Sequence, residues 1–204
     1  MKVLITGGMG VIGAEASRRF VREGHRPIIF ARHRDEWLIR DILEEVDIEL
    51  GDVLDMPRLL DVIKRHRVTH IVHAAAFVGA VSAANPALSV QVNVMGMVNV
   101  LEAARAFDVA RVVYTSAKGV YGPVLGEYGA PTYKPVPEDF PKNPKRIYDS
   151  AKLMAEQPLA RIPANLRLRF PLPERRNPPK YGHNVSARQR TLADAIITAM
   201  LAPC

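Results

Sequence analysis

A chain of 204 residues can bury one sizeable core, and 48% apolar with 24% charged side chains excludes a disordered or fibrous protein. Its single cysteine, Cys204, excludes an intrachain disulfide framework and points to a reducing compartment, so the cytoplasm is the expected location. The net charge of +7 is not spread over the chain: eight Arg and Lys residues between Pro158 and Arg190, against Glu174 alone, account for all of it, and they form no known nucleic-acid-binding motif.

The N-terminus enters an apolar run at once, leaving no room for a signal peptide, and no run reads as the ~20 residues of a membrane span. Val3, Leu4 and Ile5 predict a buried strand. Gly7, Gly10 and Gly13 follow at three-residue spacing, and Ala14–Arg22 reads as a helix. A strand, a glycine turn and a helix start make a pyrophosphate site, because the bare backbone admits the phosphates and the free N–H groups and helix dipole face them. A structural turn between strand and helix is the alternative.

Further strands are predicted at Pro27–Ala31, Val46–Leu50, Thr69–His73 and Arg111–Thr115, the first being Lys2–Thr6. Further helices are predicted at Glu36–Glu44, Arg58–His66, Ala87–Phe107 and Tyr148–Glu156. Short strands alternating with helices predict an α/β, doubly wound parallel sheet whose ligands lie beyond the carboxyl ends of the strands. The residues after each strand are therefore the informative ones.

Arg32, His33 and Arg34 follow the second strand. An acid there would bind the adenosine ribose of NAD, whereas Arg favours the 2′-phosphate of NADP; a solvated loop is the alternative, and the cofactor reads as NAD or NADP. After the third strand, Asp52 is placed to meet the adenine amino group or to cap the helix that Pro57 opens, with Val53 beside it. His73-Ala74-Ala75-Ala76 is a small-residue loop able to pass close to a cofactor, and His73 has no partners at metal-ligand spacing. Pro86 opens the long helix that carries Asn93 and Gly96, with Met95, Met97 and Val98 as packing residues. Thr115 and Ser116 place hydroxyls at the end of the fifth strand, and Pro123–Pro144 reads as a long loop in which Glu138 and Asp139 are solvated acids.

Tyr148 and Lys152 stand four residues apart on a helical pattern and so share a face. A phenol ionises near pH ~10, and a neighbouring ammonium lowers that value. The pair is then a workable general acid/base beside a nicotinamide.

Together, Gly7-x-x-Gly10-x-x-Gly13, Gly51-Asp52-Val53, His73-Ala74-Ala75, Asn93-Val94-x-Gly96, Val120-Tyr121-Gly122 and Tyr148-x-x-x-Lys152 resemble the extended short-chain dehydrogenase/reductase family in its NAD-dependent epimerase/dehydratase branch, over Met1 to about Gln157. The resemblance implies a Rossmann-type domain, action on a small molecule such as a nucleotide sugar, Tyr148 as acid/base, and Lys152 on the nicotinamide ribose. It also implies a homodimer built through two helices of each subunit. On this basis the cofactor-binding set is Gly7, Gly10, Val11, Ile12, Gly13, Arg32, Asp52, Val53, Ala74, Ala75, Asn93, Tyr148 and Lys152. The catalytic set is Tyr148, Lys152 and Ser116, with no metal, nucleic acid or membrane among the partners.

Two departures accompany it. Ala117 stands where the family places its substrate-binding Ser or Thr, so either Ser116 or Thr115 replaces that hydroxyl after a local shift or the site lacks it. From Pro158 the pattern decays into Pro- and Arg-rich sequence, although Leu166–Pro171 looks like a sixth strand and Thr191–Leu201 like a helix. The expected organisation is a Rossmann domain over 1–157 and an irregular, incomplete remnant of a substrate domain over 158–204. The alternatives are a genuine short variant gripping an anion through its arginines, or a dinucleotide-binding sensor without chemistry.

Overall fold

In the computed structural model the apolar runs pair in parallel into one six-stranded sheet of order β3-β2-β1-β4-β5-β6. Its strands are β1 (Val3–Thr6), β2 (Ile28–Ala31), β3 (Asp47–Leu50), β4 (His70–His73), β5 (Arg111–Tyr114) and β6 (Arg167–Arg169). The structure describes residues 1–159 apart from Tyr133 and Glu138, together with 167–169, 194–196, 198 and 200. The basic, proline-rich stretch therefore lies outside the described residues except at Pro158 and β6.

Helices α1 (Val11–Arg22), α2 (Met56–His66), α3 (Gly79–Ala84), α4 (Pro86–Val90), α5 (Gly96–Ala106) and α6 (Ile147–Leu159) complete the fold, with one π turn, Gln91–Met95, joining α4 to α5. Alternate strand residues face opposite layers, and both layers are apolar. Leu4, Ile28, Ile71 and Val112 bury against Leu59, Val62 and Ile63 of α2 and Met97, Val100 and Leu101 of α5. Val3, Ile5, Val72 and Val113 bury against Ala16 and Phe20 of α1 and against Ile196 and Met200. Ile196 and Met200 thus lie on the same sheet face as α1, where Arg19 also pairs with Asp194.

The sheet reverses direction of growth between β1 and β4, which opens a crevice above their carboxyl ends. There Thr6 on β1, His73 on β4 and Tyr114 on β5 stand in register as one row.

Four local expectations are corrected. The helix predicted over Glu36–Glu44 is two 3-10 turns, Glu36–Leu38 and Leu43–Glu45. The Asp35 carboxylate accepts from the Trp37 N–H and tightens the first, and Ile39 and Ile42, three residues apart, then bury together against Ile29 and Val46. The short helix α3 stands in a stretch for which the sequence pattern predicts no element. Asp55, not Asp52, caps α2 by accepting from Arg58 N–H at 3.0 Å. Finally, Pro86–Ala106 is 21 residues long with a mean hydropathy of 1.3, long and apolar enough to cross a membrane by those two measures. Half of it is buried inside the protein, where Met97, Val100, Leu101, Ala103 and Ala104 pack on the sheet, and that burial accounts for its apolar character.

Candidate active site

The glycine turn contains two kinds of glycine. Gly7 has φ +68 and donates its N–H to Phe30 O at 2.8 Å; a Cβ there would fall 2.7 Å from the Ala75 backbone. A Cβ on Gly13 would fall 2.3 Å from Gly7 O. Both are demanded by the fold itself. Gly10 differs: its φ of −83 suits any residue, and a Cβ would meet only Gly7 O, at 3.3 Å, with open space beyond. It is the N-cap of α1, which has no side-chain cap and no acid in its first turn, so the positive helix end faces the crevice uncompensated.

The crevice is walled by Gly7, Met9 and Gly10 after β1, by Phe30, Ala31 and Arg32 after β2, and by Gly51, Asp52 and Val53 after β3, and it is closed by Ala75, Ala76 and Val92. Six sequence candidates, Gly7, Gly10, Arg32, Asp52, Val53 and Ala75, therefore meet at one place. Val11 is exposed at the helix start, Gly13 is buried behind the turn, Ile12 packs against the core, and Ala74 lies against Gly7. Asp52 turns its carboxylate onto Leu54 N–H at 2.9 Å.

Asn93 is buried, and its amide holds the loop after β4. Its Oδ1 accepts from Phe77 N–H at 3.0 Å, and its Nδ2 donates to Phe77 O at 3.0 Å and to Ser89 Oγ at 3.3 Å. Asn99, which the sequence reading missed, secures the loop after β3 by donating to Val53 O at 2.9 Å. A polar amide inside an apolar helix is the signal for both, since a buried amide needs partners.

At the far end, α6 carries Tyr148, Lys152 and Glu156 on one face. Lys152 is 1% exposed; its Nζ donates to Thr115 O at 2.8 Å and sits 4.5 Å from the centre of the Tyr114 ring. Burial lowers its ammonium to about 7. Tyr148 does not follow the expectation of a lowered phenol. Burial and the neighbouring Asp149 raise it, and Arg146 only partly opposes them. The reason is geometric: the Lys152 ammonium is aimed at Thr115 O and lies 5.8 Å from the Tyr148 ring centre.

Asp149, held by Arg146 at 2.7 Å, fits against bare Gly119, where a Cβ would fall 1.9 Å from its Oδ1, and so locks the start of α6 to the turn Lys118–Tyr121.

The chain that folds into this crevice and this Tyr/Lys helix is matched over residues 3–202 by the model of the NAD dependent epimerase/dehydratase family. The chain belongs to that family. It is 30% identical over 159 residues to the UDP-glucose 4-epimerase of Rhizobium leguminosarum bv. trifolii, covering 78% of this chain and 46% of that one. It is 32% identical over 160 residues to the mitochondrial L-threonine 3-dehydrogenase of Sus scrofa, covering 76% and 39%. Among solved structures, UDP-glucose 4-epimerase from Brucella ovis in complex with NAD superimposes with a TM-score of 0.68 at 27% identity, covering 78% and 46%. The chain spans about half the length of the relatives it matches.

The residues present fit the family's dinucleotide: the space in front of Gly10 is left by the missing side chain, and the helix end behind it is uncapped. The family hydroxyl is another matter. Ser116 Oγ donates to Glu156 Oε1 at 2.6 Å, Thr115 Oγ1 donates to His73 O at 3.3 Å, and Ala117 is extended with no hydroxyl to offer. His73, expected as a loop residue rather than a ligand, is fully buried; its Nδ1 lies 2.7 Å from Thr6 Oγ1, and its ring stacks on Tyr114. Burial, aided by the Lys152 charge, lowers it to about 3 and keeps it neutral.

Proposed function

We propose that this chain binds a nicotinamide dinucleotide across the crevice and acts as an NAD(P)-dependent oxidoreductase of the nucleotide-sugar epimerase type, with Tyr148 as acid/base. The observation that carries the reading is the pairing of the half-buried Tyr148 with the fully buried Lys152 on one face of α6, in a chain whose other end forms a phosphate-ready crevice. When bound, the dinucleotide supplies the hydride acceptor and donor.

Tyr148 Oη then removes the proton from a substrate hydroxyl and returns it. Its raised pKa keeps it protonated at neutrality, which favours the returning, acid direction. The forward, base direction needs the phenolate, which Arg146 and, at 5.8 Å from the ring centre, the Lys152 ammonium favour. A nucleotide sugar as substrate is supported by a relative from Stenotrophomonas maltophila, solved with NAD and formylated UDP-arabinopyranose, at a TM-score of 0.70 and 27% identity over 78% of this chain and 48% of that one.

The test is titration with both dinucleotides, followed by interconversion of UDP-glucose and UDP-galactose by the wild type and by Tyr148→Phe. Equal turnover in the two proteins ends the catalytic assignment.

A second reading, dinucleotide binding without chemistry, is favoured by one observation: Ala117 provides no hydroxyl, and Ser116 spends its own on Glu156. Tight binding with no turnover in the wild type, unchanged by Tyr148→Phe, would select it.

A further inference from the structure

Resting on the roles proposed above for Tyr148 and Lys152, we infer that Ser116 and Glu156 are positioning residues. Their hydrogen bond aims the Thr115 carbonyl at the Lys152 ammonium and so sets where that charge sits relative to Tyr148.

One face of α6 grips the chain beyond β5. Asp149, Lys152 and Glu156 are spaced by three and then four residues, a single helical stripe. Asp149 fits against Gly119, Lys152 Nζ donates to Thr115 O at 2.8 Å, and Ser116 Oγ donates to Glu156 Oε1 at 2.6 Å. Thr115 is also fixed from the sheet, since its N–H and its hydroxyl donate to His73 O at 3.2 and 3.3 Å. The Thr115–Ser116 peptide unit has its second hold at Ser116, because the chain then runs on through extended Ala117. A peptide plane turns as one body, so pinning Ser116 fixes the direction of the Thr115 carbonyl.

The pin is a strong one. Glu156 is 7% exposed, and among the described residues Ser116 is its hydrogen-bond partner. A separation of 2.6 Å is that of a hydroxyl donating to a charged carboxylate. The Tyr114 phenol is raised by burial and then by nearby Tyr148 and Glu156, yet its buried Oη has no partner among the described residues. The carboxylate is thus committed to Ser116. The other groups facing Lys152 are the neutral His73 imidazole from β4, the Tyr114 ring from β5 and the Tyr148 ring on α6. Among the described residues the ammonium donates only to Thr115 O, so the aim of that carbonyl decides its place.

The experiment follows the titration of Lys152 by NMR in the dinucleotide-free protein carrying isotope-labelled lysine, with Lys152→Met to assign the resonance. Ser116→Ala keeps the carboxylate and breaks the tether, whereas Glu156→Gln removes the charge and keeps an acceptor for the hydroxyl. Ser116→Ala should lower the Lys152 titration by about one pH unit, because the ammonium loses a bond that favours its charged form while its burial persists. Glu156→Gln should move it far less. Turnover of a UDP-sugar by Ser116→Ala should show a pH profile displaced with the titration, whereas loosened packing would lower turnover alike at every pH. A titration that stays or rises in Ser116→Ala, or that moves equally in both variants, overturns the positioning role alone. A titration that moves as expected in a protein without turnover upholds the tether and overturns the catalytic reading.

Discussion

Between β1 and β3 the protein offers backbone and open space, whereas between β5 and α6 it offers long polar side chains driven into the interior. The crevice depends on what is missing: no Cβ at Gly10, no cap on α1, no acid at the end of β2. The α6 end depends on what is enclosed: an ammonium at 1% exposure, a phenol raised by burial, and an imidazole that burial keeps neutral. Binding of a large anion and transfer of a single proton make opposite demands on solvent, and the two ends of the site divide them accordingly.

The largest expected effect separates the two ends. Tyr148→Phe removes one oxygen from the α6 end and touches nothing in the crevice. Turnover of a UDP-sugar should fall by ~10²–10⁴-fold while dinucleotide affinity is unchanged. A parallel loss of binding would show that the two ends are not separable.

Within the crevice, the glycines sharpen the same contrast. Gly10→Ala brings a methyl group to 3.3 Å from Gly7 O and otherwise into the crevice, so dinucleotide affinity should fall ~10–100-fold while the melting temperature moves far less than for Gly13→Ala. Gly13→Ala drives a methyl group to 2.3 Å from Gly7 O and should cost ~1–3 kcal/mol or more of stability before any ligand is added. Equal destabilisation by the two substitutions, measured by thermal unfolding, would remove the distinction between a glycine the ligand needs and one the fold needs.

Much of this division is legible in the sequence, and the rest fails for identifiable reasons. Runs such as Val3-Leu4-Ile5 and Ile71-Val72 declare buried strands because both faces of the sheet are covered, and the Gly7, Gly10, Gly13 spacing declares the crevice. The Glu36–Glu44 segment misleads because Ile39 and Ile42 satisfy a three-residue period as well as a helical one. Asn93 is legible as a site candidate but its role in holding the loop after β4 is not, and Asn99 is missed, because their partners, Phe77 and Val53, are 16 and 46 residues away. The direction of the Tyr148 shift is opaque for a deeper reason. The spacing of Tyr148 and Lys152 shows that they share a face, but not that Thr115 O draws the ammonium away or that burial outweighs it.

The electrostatics of the α6 end give the third test. The Lys152 ammonium is lowered from 10.5 to about 7, so between those values the unfolded chain holds a proton that the folded chain has released. Stability should therefore rise with pH across that window, the cost of the buried charge being fully present below about 7 and relieved above it. Lys152→Met removes the titration and should flatten the profile, by ~1 kcal/mol or more between pH 7 and 9.5. Denaturant unfolding over that range is the measurement, and its slope is the readout, because loss of the bond to Thr115 O shifts the level of both limbs. A variant with the wild-type slope would place the titration elsewhere.

The smallest effect concerns a charge treated in the opposite way at the edge of the same sheet. Glu49 on β3 meets Arg58 at 2.7 Å, Arg65 at 3.1 Å and His66 at 2.6 Å, all from α2. Burial alone would raise its carboxyl, but the hydrogen bonds from Arg65 and His66, with the charges of Arg65 and Arg58, outweigh it and hold the group at about 2, against 4.5 unfolded. Lys152 is enclosed without an ion pair to a carboxylate, whereas Glu49 is surrounded by cations, yet in both cases stability should rise with pH, over about 7 to 10.5 for Lys152 and about 2 to 4.5 for Glu49. The contribution of Glu49 is present above about pH 4.5 and disappears as pH falls towards 2. Glu49→Gln should lower stability by ~0.5–1 kcal/mol at pH 7 and converge on the wild type near pH 2, as urea unfolding at the two pH values would register. Failure to converge would mean that the pairing of β3 with α2 rests on packing of the Arg58 and Arg65 stems rather than on the carboxylate they surround.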